Sequence, residues 1–212
     1  MGETIDKSIH KKKYDLIYFA NDIAKAGEIV LRTMRDIVKL KPHVKLCVVG
    51  GCSNNFASSF YRLIRENALD KNVEYLGKLT THQDVIDSVK SSRVALLPVK
   101  LDAVTGTMRG SMANGVPVVT TKTWGTPSLN EKRKSAFIEE LNDYSAMAAD
   151  VLLLLDNETV YNEIQNNAYL TVDEMYSNRA FVIEQNKVYT ALVNNQKKGV
   201  DLPLELRDYN HF

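Results

Sequence analysis

R-V-A-L-L-P-V-K-L-D-A-V-T-G-T-M-R-G-S-M-A-N-G-V-P-V-V-T-T, from Arg93 to Thr121, is the stretch whose reading decides the fold. Val94 to Val99 is a continuous apolar run and predicts a buried strand. The polar loop that follows carries Asp102. Thr105-Gly106-Thr107 then opens a helix that runs to about Asn114, Gly115 stops it, and Val116 to Thr120, around Pro117, predicts a second buried strand. Strand, helix and strand in this order make half of a nucleotide-binding fold. In an open parallel sheet a ligand sits outside the carboxyl ends of the strands, where a helix N-terminus offers unpaired N–H groups and the positive end of its dipole to a phosphate. Gly106 allows close approach at that point.

The same unit repeats toward the N-terminus. Tyr14 to Ala20 predicts a strand, and Ile29, Val30, Met34, Ile37 and Val38 recur at helical spacing in a helix from about Ile23 to Leu40. Val44 to Val49 is a second strand, ended by Gly50-Gly51. Ser53 or Asn54 caps a helix through Phe56, Phe60, Leu63 and Ile64 to about Leu69. Val73 to Leu76 is a short third strand, and Thr80 or Thr81 caps a helix through Val85, Ile86 and Val89. Alternation of strand and helix with short connections predicts an α/β fold: a Rossmann-like open parallel sheet with helices on both faces. After Thr121 the pattern changes. Lys122 to Lys134 reads as a polar loop, Ser135 to Ile138 as one more short strand, and the rest as C-terminal helices: Tyr144 to Leu155, Glu158 to about Tyr176, and Asn178 to about Asn194. The expected organisation is a leader over 1–13, one domain over 14–195 and a tail over 196–212.

Composition narrows the function classes. The chain has 212 residues, 44% of them hydrophobic, with 27 Lys plus Arg against 26 Asp plus Glu. A net charge of +1 supplies no field to recruit nucleic acid, which is not an expected partner. The N-terminus lacks the apolar core of a signal peptide, and no run approaches the roughly 18 apolar residues of a membrane span. A cytoplasmic setting is expected. His10, His43, His82 and His211 are isolated, so neither metal nor cofactor is expected. Cys47 and Cys52 have the wrong spacing for a redox or zinc pair and read as buried thiols. Trp124 follows the last strand of the opening stretch and either lines the ligand cleft or covers the sheet end, with core or cover the expectation.

Taken together, these segments resemble the carboxyl-terminal domain of GT-B retaining glycosyltransferases of family 4. The resemblance runs from about Tyr14 to Val193: V-K-L-C-V-V-G-G, N-V-E-Y-L-G-K-L-T, R-V-A-L-L-P-V, the acid-bearing loop and S-M-A-N-G-V-P-V-V-T-T fall in the family's order, and Ala113 to Thr121 is the most specific segment. The resemblance implies a domain that binds a nucleotide-diphosphate sugar for transfer to a saccharide or glycolipid acceptor. It also implies a separate amino-terminal Rossmann domain that holds the acceptor and is absent here. The chain alone would then be inactive, and any peripheral contact with the inner face of a membrane would come through that other domain.

Site residues follow from the same match. Asp102, at the first of two acidic positions, is expected to position the transferred sugar, or else to cap the following helix. Thr105, Gly106 and Thr107 are expected to bind phosphate, and Gly77, Lys78 and Leu79 to contact the base or else to form a plain turn. Three positions depart from the family. Gly110 stands where the family has a second acid that accepts from ribose hydroxyls, and Asn21 and Ala26 stand where it has an Arg and a Lys that hold the diphosphate. Charge-assisted hydrogen bonds contribute about 1.5–3 kcal/mol each, so two lost contacts would weaken donor binding roughly 100-fold to 10,000-fold unless replaced. Lys25, Lys100, Arg109 and Lys122 are the candidate replacements. The alternative function is a glycosyltransferase-like binding or scaffolding domain that has kept the fold and lost catalysis.

Overall fold

The computed structural model describes residues 12–20, 27–50, 54–101 and 104–198. In chain order the elements are β1 Tyr14–Phe19, α1 Gly27–Leu40, β2 Leu46–Val49, α2 Asn54–Glu66, β3 Val73–Gly77, α3 His82–Lys90, β4 Ser92–Leu96, α4 Gly106–Ala113, β5 Val118–Thr121, β6 Phe137–Glu139, α5 Tyr144–Asp156, α6 Glu158–Tyr176 and α7 Asn178–Lys198. The strands form one sheet in the order β3-β2-β1-β4-β5-β6, and every pair is parallel. Helices cover both faces. Parallel strands buried on both sides read as unbroken apolar runs, as the central strands do: Leu16, Ile17, Leu46, Val94, Leu96, Val118 and Val119 have no exposed surface. Leu16 lies in register with Leu46 on one side and Val94 on the other, which fixes β1 at the centre.

Two compact units are present, one reaching Val172 and one from Asp173 onward. The sheet and its helices belong to the first. The second contains α7, whose Phe181, Val182, Ile183 and Tyr189 are exposed. The expected 14–195 domain carries no sequence signal for a division at that point, which falls inside α6.

Several strand ends differ from the sequence expectation, each because a side chain or a turn takes over from the ladder. β2 begins at Leu46 because the Val44 amide closes a turn on the Lys41 carbonyl at 3.2 Å. β4 ends at Leu96, and beyond Pro98, which has no N–H, the Val99 amide donates to Thr121 Oγ1 at 2.8 Å rather than to a backbone carbonyl. β6 begins at Phe137 because the amides of Ser135 and Ala136 are both held by Asn130 Oδ1, at 2.8 and 3.1 Å. The polar loop after β5 contains a 3-10 turn over Thr126–Asn130. Residues 1–11 of the expected leader, residues 21–26 before α1, Gly51, Cys52 and Ser53, and residues 199–212 of the tail lie outside the described residues.

One glycine fixes the ligand-facing end of the sheet. Gly50, at the end of β2, has φ +146°, and a Cβ there would lie 2.0 Å from the Ala20 carbonyl oxygen. Its amide donates to the Gly77 carbonyl at 2.9 Å and its carbonyl accepts from the Tyr75 hydroxyl at 2.8 Å. The ends of β1, β2 and β3 are therefore drawn together at a point only glycine fits.

Candidate functional site

Between α3 and α4, with Phe19 from the end of β1 beside them, lies a cavity of about 630 Å³. The α3 wall is His82, Val85, Ile86 and Val89, one face of the helix by its spacing. Val89 is buried, whereas Val85 and Ile86 are only half-buried, so this face serves the core at one end and the cavity at the other. The α4 wall is Thr105, Gly106, Thr107, Gly110, Ser111, Ala113 and Asn114. Small residues along that wall keep the space open. Ideal Cβ atoms built on Gly106 and Gly110 meet nothing within 4 Å.

The N-terminus of α4 is capped by its own threonine. Thr105 has extended backbone (φ −72°, ψ 158°), and its Oγ1 accepts from the Met108 amide at 3.2 Å. The same Oγ1 lies 2.9 Å from Thr107 Oγ1. Helix geometry leaves the amides of Gly106 and Thr107 without an intrahelical acceptor, and both residues line the cavity. No acid stands in the first turn. Amides and dipole together suit an anion there.

The neighbouring helix starts are built differently. Thr81 caps α3 in a reciprocal box: Thr81 Oγ1 accepts from the Asp84 amide at 3.1 Å, and Asp84 Oδ2 accepts from the Thr81 amide at 3.0 Å. α5 is capped by Asp143, whose Oδ1 accepts from the Ala146 amide at 3.0 Å. Further along α5, burial and then the hydrogen bond and charge of Glu139 push the Asp150 carboxyl up to about 7. Burial raises the Cys47 thiol to about 12, which leaves it a packed side chain without thiolate chemistry at neutral pH.

Of the residues expected from the sequence, Thr105, Gly106 and Thr107 come together on the cavity wall. Thr105 itself is the α4 cap. Gly77, Lys78 and Leu79 are not among the lining residues; Gly77 is a turn glycine at φ +71° that accepts from Gly50, and the cavity takes His82 from the helix after them. Arg109 is exposed on α4 and does not line the cavity. Lys100 is exposed, and Lys122 pairs with Glu140 at 2.7 Å. Asp102, Lys25, Asn21 and Ala26 lie outside the described residues. Trp124 corrects the core-or-cover expectation, since it is 74% exposed. The turn that carries it is held by hydroxyl groups and needs no buried ring. Sequence reading missed the α3 wall: a stripe at helical spacing signals a packing face and does not tell that half of it faces a cavity. Among the described residues no group of His, Cys, Asp and Glu could hold a metal ion, and no helix is long and apolar enough to cross a membrane.

The family model described as glycosyl transferases group 1 matches residues 2–171. The chain belongs to that family. Among curated relatives of this group 1 glycosyltransferase, the N-acetyl-alpha-D-glucosaminyl L-malate synthase of Bacillus anthracis is 22% identical over 138 residues, 65% of this chain and 35% of that protein. The chain thus spans about a third of the length of the curated relative it matches. Anabaena HepE, solved with UDP and glucose, superposes with a TM-score of 0.71 at 16% identity, over 84% of this chain and 48% of that one. The carboxyl-terminal domain of LpcC, a group 1 family protein from Francisella tularensis, superposes with a TM-score of 0.69 at 15% identity, over 84% of this chain and 95% of that one. At these identities the solved structures show the fold, which is the Rossmann-like carboxyl-terminal half of GT-B glycosyltransferases, followed by C-terminal helices.

Proposed function

We propose that this group 1 glycosyltransferase chain is the half that binds a nucleotide-diphosphate sugar, and that it serves a retaining transfer of the sugar to a saccharide or glycolipid acceptor. One observation carries the reading: Gly106 and Thr107, in the acid-free first turn of α4, line a cavity of about 630 Å³. As the bond between sugar and diphosphate breaks, negative charge grows on the departing diphosphate. Amides already aimed at that place stabilise it without reorganising, and the fold contributes by positioning donor and acceptor. Asp102 is assigned to the sugar hydroxyls and Lys25 to charge compensation at the diphosphate, whereas Arg109, exposed and off the cavity wall, is given no part. Solved structures of HepE with UDP and glucose support a nucleotide-sugar donor for this fold. Because the acceptor is assigned to a separate amino-terminal domain, this chain alone is expected to turn over no sugar.

Calorimetric titration with UDP, GDP, UDP-glucose, UDP-N-acetylglucosamine, ATP and NAD tests the reading. Binding of a UDP or GDP compound in preference to ATP and NAD is the expected result. Preference for ATP or NAD overturns it. A second reading, a domain that keeps the fold as a binding scaffold without transfer, is favoured by one feature: Gly110 brings no side chain to a cavity wall with room for one. Absence of binding to every nucleotide in the panel would select it.

A further inference from the structure

His82, the first residue of α3, heads the helix wall of the cavity and is exposed. The spacing of His82, Val85, Ile86 and Val89 makes one face, and where an apolar side chain would continue it the chain places an imidazole. The acids on the same helix are engaged elsewhere. Asp84 Oδ2 accepts from the Thr81 amide at 3.0 Å, and Asp87 Oδ1 accepts from Gln83 Nε2 at 2.8 Å. Among the described residues His82 has no hydrogen-bond or ion-pair partner. It is also the one titratable side chain among the described residues that line the cavity.

Topology sets where along the cavity it stands. α3 follows β3 and α4 follows β4 in a parallel sheet, so both helices start at the carboxyl ends of strands. His82 and the pair Gly106 and Thr107 therefore mark the same end of the cavity, and Val89 and Asn114 lie toward the other. That first end combines an imidazole with two residues whose amides have no intrahelical acceptor. Among the described lining residues, from the end of β1 and from α4 as well as from α3, no carboxylate competes for an imidazolium. The neighbouring cations are Lys78, exposed ahead of α3, and Arg109, exposed on α4 and off the wall. Without a ligand, the positive end of the α3 dipole disfavours a proton on His82; a bound diphosphate reverses that balance.

We propose that His82, in its protonated form, is a further cation for the diphosphate of the nucleotide-sugar donor, so that donor and proton bind together. The proposal rests on the donor reading above, and its test separates the two. Histidine's ordinary titration range spans neutrality, which fixes the sign: the donor is held most tightly at acid pH, where the imidazole is already protonated, and affinity falls as pH rises through that range. The full chain is titrated by calorimetry with UDP-glucose and UDP-N-acetylglucosamine from about pH 5.5 to about pH 8 at constant ionic strength. The diphosphate diester of these compounds keeps one charge state across that range, so the ligand adds no titration of its own. Expected is a fall of about tenfold in affinity for at least one compound, the scale of one charge-assisted contact. Repeating the titration in buffers of different ionisation enthalpy should show proton uptake on binding. His82→Gln is flat in pH and matches the parent at the alkaline end, whereas His82→Lys is flat and matches it at the acid end.

Affinity that does not change with pH, binding without proton uptake, or the parent's pH slope in His82→Gln would each overturn the proposal. The Asp150 carboxyl on α5 is pushed up to about 7 and titrates in the same window, so Asp150→Asn serves as the control and should keep the parent's slope. A slope that disappears in Asp150→Asn and persists in His82→Gln overturns the proposal as well. Binding of UDP-glucose together with any of these results sinks the role of His82 and leaves the donor site standing. No binding of either nucleotide sugar sinks both.

Discussion

α3 and α4 follow strands that are consecutive in the chain, both start on a threonine cap, and only one of them is closed. At α3 the carboxylate of Asp84 returns to the Thr81 amide and sits against the positive end of the helix dipole. At α4 the equivalent third position is Met108, fully buried and apolar, so Thr105 satisfies one amide and no acid answers the others. α5 repeats the closed design with Asp143. A helix that carries its own carboxylate at the N-terminus has filled the place an external anion would take; a helix with a neutral cap has left it open. The cavity is lined by residues from a closed start and an open one, and the diphosphate proposed above is assigned to the open one.

Removing a donor from the open start should have the largest effect. Pro is tolerated at the first helical position, and Thr105 already has the extended backbone that must precede it, so Gly106→Pro deletes an amide without breaking the helix. UDP affinity is expected to fall roughly 10-fold to 100-fold, the equivalent of one charge-assisted hydrogen bond, with the melting temperature nearly unchanged. Unchanged affinity in calorimetry would mean that α4 is not the anion site.

Asp150, midway along α5, makes a pH signature. The folded pKa of Asp150 is raised above its ordinary 3.8 to about 7, first by burial and then by Glu139. The folded state therefore holds the proton more tightly, and this group's contribution is full below pH 4 and lost as pH rises toward 7. Thermal melts should show Asp150→Asn gaining stability relative to the parent across that window and holding a constant difference above it. A difference that does not vary with pH would show that Asp150 does not titrate there.

Opening the closed start is a smaller change. Asp84→Ala removes one arm of the α3 capping box and should cost about 1 kcal/mol, a drop of roughly 2–4 °C in melting temperature, while UDP affinity stays the same. A gain in UDP affinity would show that α3 competes with α4 for the anion. Smallest is Gly110→Glu. The space around Gly110 is open, and replacing a glycine inside a helix should stabilise by about 0.5–1 kcal/mol. Affinity for UDP should rise as well if a carboxylate at this wall accepts from ribose hydroxyls. Higher stability without higher affinity, measured side by side, would move the reading toward the scaffold.

Local rules were enough for much of this protein. The apolar runs that became β1 to β5, the stop at Gly115 with φ +68°, the caps at Thr81 and Thr105 and the change to helices after β6 are short-range consequences of periodicity and turn chemistry. The Thr105-Gly106-Thr107 start was legible for the same reason, since a cap and the amides it leaves open involve only consecutive residues. Tertiary structure decided what local rules do not contain. An apolar stripe records that a face is covered and not by what, so the pairing of α3 with α4 around a cavity, and the place of His82 in its wall, arise only once the order β3-β2-β1-β4-β5-β6 sets the helices side by side. Trp124 shows the same limit from the other direction: hydrophobicity argues for burial, and a net of threonine and serine hydroxyls, visible only when the turn is folded, holds the ring in water.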